Sequence, residues 1–135
     1  MECLSFGVIS QVFSNIKDRG CRKAIGDVFQ QYSEIVKSWM RSLSFTRNLC
    51  AHHARLWNRF FINTPKNVDI AIHFDRDKSS FILQAYIIIK LMNAIDPPNK
   101  WKERLRRLLI RYDLLVEFKS MGFDDSWQNS ELWNI

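Results

Sequence analysis

An all-α protein is what three features of this 135-residue sequence predict. Long runs carry apolar residues at three- and four-residue spacing, the period of a helix with one buried face. Only four glycines and three prolines interrupt those runs. Where breakers do occur they cluster between the runs, at Asp18-Arg19-Gly20, Asn63-Thr64-Pro65 and Asp96-Pro97-Pro98. The expected architecture is a single helical domain of about five helices followed by a Trp-containing tail. A composition that is 47% hydrophobic and 13% aromatic excludes a disordered chain.

The first helix is expected over residues 4–17, with Phe6, Ile9, Val12, Phe13 and Ile16 inward and Gly20 as the left-handed stop. The second is expected over residues 21–31, burying Ile25, Val28 and Phe29. Gly26 inside it should weaken that helix by about 1 kcal/mol relative to alanine. The third run starts near Ser33 and continues to about Phe61, with a recurring stripe of Val36, Met40, Leu43, Cys50, Trp57 and Phe60 and room for a bend at residues 42–44. Pro65 ends it, because the residue before a proline is pushed out of the helical region. Residues 66–78 read as a connector, with a short extended or helical piece at residues 68–73. Residues 81–95 are apolar nearly all round and read as the central core helix, capped by Ser79 or Ser80. Asn99 caps a fifth helix over residues 100–120, with Trp101, Leu105, Leu108, Leu109, Tyr112 and Leu115 inward. The closing MGFDDSWQNSELWNI packs over an open end of the bundle.

Charge and cysteine usage bound the function. The formal net charge is +6 and the isoelectric point about 9.5, so nucleic acid or another polyanion is a fair partner. Three cysteines without a CxxC pair fit a reduced, cytoplasmic compartment. The N-terminus lacks a basic region followed by a long apolar stretch, so no signal peptide is read there. Residues 81–95 contain Gln84, Lys90 and Asn93 and fall short of the roughly 20 apolar residues of a bilayer crossing. No membrane association is expected.

The chemistry concentrates in residues 39–61. Within one continuous helix, Asn48, His52, Arg55 and Arg59 would share a face, with Arg47 about 100° round from Asn48. An amide, an imidazole and several guanidiniums suit a phosphodiester: cations hold the anion, and an imidazole exchanges protons near neutral pH. The competing reading is a polar, solvated face with ion-pair partners elsewhere. His52 and His53 are adjacent and diverge on a helix, and no HxxxH, HExxH or CxxC spacing completes a metal shell, so neither a metal nor a cofactor is expected. A glycine-rich phosphate loop and a GxSxG turn are also missing. Cys50 falls on the apolar stripe and reads as a buried, inert thiol. His53 reads as structural, and His73 receives no role. The basic residues Lys102, Arg104, Arg106, Arg107 and Arg111 read as a solvated face, with a nucleic-acid backbone surface as the alternative.

The spacing from Arg47-Asn48 to His52 matches the Arg-x4-6-His signature of HEPN-domain ribonucleases. The longer string RNLCAHHARLWNR, residues 47–59, resembles the Abi-like (AbiD/AbiF type) abortive-infection proteins. The resemblance extends to Leu4-Ser5-Phe6-Gly7 with Ser10 and to Ser38-Trp39. It continues at Trp101-Lys102, Arg104-Leu105, Met121-Gly122-Phe123, Trp127 and Leu132-Trp133. It implies a HEPN-like bundle and a metal-independent endoribonuclease serving antiphage defence. In that role His52 transfers protons, Arg47 stabilises the phosphorane charge, and Asn48 orients the imidazole or touches the phosphate. Arg55 and Arg59 are the implied RNA-backbone contacts. The resemblance further implies a homodimer formed through the motif-bearing helix, two motifs facing one cleft. Members of the family are usually about twice as long, and this sequence resembles their C-terminal half. A truncated gene, a split protein with a separate N-terminal partner segment, and a short member are the alternatives. The alternative function is a non-catalytic helical module that binds RNA or protein through the same cations.

Overall fold

The computed structural model describes residues 4–66 and 80–135. The all-α expectation holds: the described residues form five α-helices and three short 3-10 turns, and no strand. The helices are α1 (Phe6–Asn15), α2 (Arg19–Val28), α3 (Ser33–Ala51), α4 (Phe81–Ile95) and α5 (Trp101–Tyr112). The connector expected beyond Lys66, with His73, lies outside the described residues.

Three of the five helix starts have a local side-chain cause, whereas α3 starts after Tyr32 and α4 after Ser80 without a side-chain cap bond. Ser5 caps α1, its hydroxyl accepting from Val8 N at 3.3 Å. Asp18 caps α2 by accepting from Cys21 N at 2.6 Å, so Gly20 lies inside the second helix instead of ending the first. That backbone bond holds the Asp18 carboxyl below its ordinary pKa, and the same carboxylate, as hydrogen-bond partner and anion, pushes the Cys21 thiol up. Asn99 Oδ1 accepts from Trp101 N at 3.1 Å at the start of α5.

The helix ends depart most from expectation. α2 stops at Val28 because Gln30 takes a left-handed φ of 52° while Gln31 N bonds Gly26 O and Gln30 N bonds Asp27 O. This is a Schellman closure with glutamine in the position usually held by glycine. Gly26 has a different purpose from the one expected. It is buried, and a Cβ on it would stand 2.5 Å from Gln31 O. The returning turn therefore needs the space that a side chain would fill.

The core is centred on α4, where Phe81 to Ile87 and Ile89 are buried. Against it lie Ile35, Trp39, Leu43 and Leu49 of α3 and Leu105 and Leu109 of α5. Fully burying side chains of this kind stabilises by roughly 1.5–3 kcal/mol each before chain entropy is counted. Of the stripe expected on α3, Val36 and Leu43 are buried, but the rest of the inward face differs. Trp39, Ser42, Thr46 and Leu49 face inward, whereas Met40 is only partly buried and Cys50, Trp57 and Phe60 are exposed. Cys50 is thus a surface thiol, because Leu49, one position earlier, takes the inward direction. On α1, Phe13 is buried, but Ile9 and Val12 face outward, as does Val28 on α2. α5 ends eight residues early, leaving Leu115 exposed, and within the helix Leu108 and Tyr112 face outward instead of inward.

The tail is part of the core. Phe118, Phe123, Trp127 and Trp133 meet edge-to-face, with Phe118 and Trp127 centroids 5.3 Å apart and Trp127 and Trp133 6.1 Å apart. Both indoles find polar partners: Trp127 Nε1 donates to Asp113 and Trp133 Nε1 to Trp127 O. Lys102 and Arg106 hold the tail down through Ile135 O and Gln128 O. Those two members of the basic set are therefore structural.

Candidate functional site

The motif lies at the C-terminal end of α3, and the way the helix ends builds it. His52 is the last residue with a helical bond, its N–H reaching Asn48 O at 3.0 Å. His53 then turns left-handed at φ 51°, His53 N bonds Cys50 O and Ala54 N bonds Leu49 O at 2.8 Å. This is a second Schellman closure, with Leu49 buried and Ala54 packed against the core cluster as its apolar contact. Histidine is among the residues that tolerate such a φ. The expected helix to residue 61 is therefore cut ten residues short. No proline or glycine marks the site, and the closure is fixed by the local apolar pair.

Two consequences follow for the expected site residues. Arg47, Asn48 and His52 are all exposed, none turned into the core. Arg47 Nη1 donates to Asn48 Oδ1 at 3.2 Å, which draws the guanidinium toward the Asn48 side of the helix. By helical geometry Arg47 and His52 leave the axis about 140° apart, and Asn48 lies between them. Arg55 and Arg59 do not share that face: both lie beyond the helix end, Arg55 exposed over the Trp57 ring at 5.9 Å and Arg59 half-buried. The common face expected for residues 48, 52, 55 and 59 is thus corrected.

The closure also changes the electrostatics. A helix C-terminus presents bare carbonyls and repels an anion. Here the carbonyls of Asn48, Leu49 and Cys50 are already bonded to His52, Ala54 and His53 N–H groups. An anion can approach the cationic side chains with fewer unpaired oxygens opposing it.

Next to the motif runs a groove of about 1200 Å³ between α1, α3 and residues 62–66. The α3 side contributes Glu34, Lys37, Ser38, Arg41, Ser44 and Asn48, three or four residues apart and hence one face. Gly7 lets α1 come close, since a Cβ there would already sit 3.2 Å from Ser44 Oγ. Residues 63–66 are strapped back along α3. Ser42 Oγ donates to Asn63 O at 2.6 Å, Trp39 Nε1 donates to Lys66 O at 2.9 Å, and Lys66 N donates to Ser38 Oγ at 3.0 Å. Gln84 of α4 secures the anchor from below: its Nε2 donates to Ser42 Oγ at 2.8 Å and its Oε1 accepts from Thr46 at 3.0 Å. Asn48 lines the groove; Arg47 and His52 are not among its lining residues, and Arg47 is tied to it only through its bond to Asn48 Oδ1.

Lys37, Arg41, Ser42 and Gln84 escaped the sequence reading. The polar period through residues 34, 37, 41, 44 and 48 was a usable signal for the groove face. Ser42 and Thr46 gave none, because a buried hydroxyl pair looks like a solvent face until its partner on α4 is known.

Fold and site together define an all-helical protein that presents an Arg-Asn-x3-His motif at a helix end beside a polar groove. The family model described as "Abi-like protein" matches residues 1–58, a little under half of the chain, and over that stretch the chain is similar to that family. The match takes in α1 to α3 and the whole motif. Neither the curated proteins nor the solved structures give a match. Among the described residues no group of three His, Cys, Asp or Glu gathers, and no helix is long and apolar enough to cross a membrane.

Proposed function

We propose that this chain is an antiphage, abortive-infection endoribonuclease of the HEPN type that cuts RNA without a metal. The observation that carries the reading is that Arg47, Asn48 and His52 are all exposed at the end of α3, with the Arg47 guanidinium bonded to Asn48, which lies between the other two on the helix. The Abi-like match over the same residues supports it.

RNA brings its own nucleophile. The ribose 2′-oxygen attacks phosphorus, its proton passes to a base, and the 5′-oxygen leaves carrying a proton from an acid. The products are a 2′,3′-cyclic phosphate and a 5′-hydroxyl. An imidazole suits the proton transfers, since such groups ordinarily titrate near neutral pH. The planar donors of Arg47 suit the charge that accumulates on the non-bridging oxygens. One His52 serves poorly as both base and acid in an in-line displacement, so a homodimer placing two motifs across one cleft completes the site. Arg55 and Arg59, on the chain that follows, are RNA-backbone contacts in this reading.

The test is cleavage of labelled single-stranded RNA in EDTA. Wild-type protein should cut, and Arg47→Ala and His52→Ala should each lose about 10²–10³-fold in rate, the usual scale for a transition-state donor or a proton-transfer group. Undiminished cutting by both variants would sink the assignment, as would equal cutting of an all-deoxy strand. Of the three motif residues only Asn48 lines the groove, which favours one second reading, a non-catalytic RNA- or protein-binding module. Binding without cutting would select it.

A further inference from the structure

We infer that the α1–α3 groove is a binding track for single-stranded RNA, with Lys37, Arg41 and Lys66 on its phosphates. Choosing RNA as the occupant rests on the endoribonuclease reading; the existence of a cationic track beside the motif does not. Four observations carry the inference.

The first is charge. Lys37, Arg41 and Lys66 line the groove against one described acid, Glu34, which stands 3.6 Å from Arg22. Among the described residues, no carboxylate pairs with Lys37 or Arg41, although Lys37 is half-buried. Cations left unpaired along a concave wall focus a field that draws a polyanion.

The second is periodicity. Lys37 and Arg41 are one turn apart on α3, about 6 Å along the axis, and the face from Glu34 to Asn48 spans about 21 Å. A row of cations at that interval fits successive phosphates of an extended strand and exceeds what a mononucleotide would use.

The third is the chemistry between the cations. Gln11, Ser14, Ser44 and Thr64 offer neutral hydroxyl and amide groups. Such groups both donate and accept, as the exposed edges of unpaired bases require, and can donate to the 2′-oxygens. Phe45, held edge-on to Phe61 at 6.4 Å, and the exposed Ile62 add apolar surface for a base. The groove's size, about 1200 Å³, has room for a few unpaired nucleotides.

The fourth is direction. The track ends at Asn48, whose Oδ1 holds Arg47. A strand lying along α3 is thereby led to the motif, so the groove binds the nucleotides on one side of the scissile link.

The experiment measures binding and cutting separately. Binding of a labelled 2′-O-methyl octanucleotide, which lacks the internal nucleophile, is followed by fluorescence anisotropy in EDTA from 50 to 200 mM salt. The pair Lys37→Gln/Arg41→Gln should weaken binding at least tenfold at the lower salt. It should also flatten the slope of log affinity against log salt by about 1.4, the release expected for two phosphates on a single strand. Arg104→Gln/Arg107→Gln, on the exposed face of α5, should bind as wild type does. Melting curves confirm that each protein is folded. Wild-type affinity and slope in the Lys37/Arg41 pair overturn the track, as does a wild-type protein that binds no strand or binds duplex equally well. If the track binds but native RNA stays uncut, the endoribonuclease reading falls and the track stands. If RNA is cut with unchanged KM by the Lys37/Arg41 pair, the reverse holds.

Discussion

Replacing Ser42 by alanine should destabilise this protein more than replacing the larger Gln84 by leucine, and the two changes should not add. Ser42 is 1% exposed and its single hydroxyl both donates to Asn63 O at 2.6 Å and accepts from Gln84 Nε2 at 2.8 Å. Ser42→Ala leaves a buried carbonyl and a buried amide donor without that partner. At about 1–3 kcal/mol for each orphaned group, partly relieved by relaxation, the cost is about 2–4 kcal/mol. Gln84→Leu removes two bonds but strands less. Ser42 keeps Asn63 O, and the Thr46 hydroxyl can fall back on Ser42 O at 3.3 Å. Two net hydrogen bonds, offset by a more apolar side chain, give about 1–2 kcal/mol. In the double variant Ser42→Ala orphans only Asn63 O, so the coupling should be about 1 kcal/mol or more.

Urea unfolding at fixed pH reads all three values, with the slope against urea unchanged if only stability has moved. For a chain of this length each kcal/mol is about 4 °C in Tm. Hydrogen exchange supplies the local readout. The Lys66 amide, which donates to Ser38 Oγ, should exchange faster in Ser42→Ala as the strap loosens. A cost below about 0.5 kcal/mol for Ser42→Ala, or strict additivity with Gln84→Leu, would refute the shared-hydroxyl argument.

Further outcomes follow from the helix ends. His53→Gly should stabilise by about 1 kcal/mol, seen as a higher Tm, because glycine relieves the left-handed φ of 51°; RNA cleavage should survive it, since His53 has no part in the proposed chemistry. Gly26→Ala should lower Tm despite the better helix propensity of alanine, by about 1–3 kcal/mol, because the new Cβ meets Gln31 O. Asp18→Ala should lower Tm at pH 7, and the gap should close in acid. The folded-state pKa of Asp18 is depressed, so its contribution is present above the unfolded value and is lost as pH falls through the folded one. Asp18→Asn should also speed alkylation of Cys21 near pH 8, since the neighbouring carboxylate raises that thiol's pKa and suppresses the thiolate.

The helical class and the central position of α4 were legible because they rest on apolar period and composition, which local sequence carries. Helix ends were legible only where a recognisable residue made them. Asp96 and the two prolines after it were such a signal, and α4 does stop at Ile95. The closures at Gln30 and His53 were not, because both use a non-glycine residue at the left-handed position and are held by bonds from the next residue. The inward face of α3 was only partly legible, at Val36 and Leu43, for a related reason: Ser42 and Thr46 are buried by virtue of Gln84, 42 and 38 residues away. The motif residues were named from their spacing, but the groove beside them depends on residues 63–66 returning along the helix, which spacing cannot convey.

That return ties the early end of α3 to the candidate site. Had the helix run on to residue 61, ten more residues would have carried the chain about 15 Å further along the axis. Residues 63–66 would then have pointed away from the groove. Instead the turn at His53 reverses the chain, and the contacts run antiparallel: Asn63 meets Ser42 and Lys66 meets Ser38 and Trp39. One local choice of backbone at residue 53 thus exposes the Arg47-Asn48-His52 end of the helix and raises the wall of the groove beside it. A substitution that straightens this turn, His53→Pro, should damage both at once. Proline cannot adopt a positive φ and lacks the N–H that now bonds Cys50 O. Exchange protection across residues 62–66 should fall together with strand binding. Loss of either one alone would show that the turn and the groove are independent.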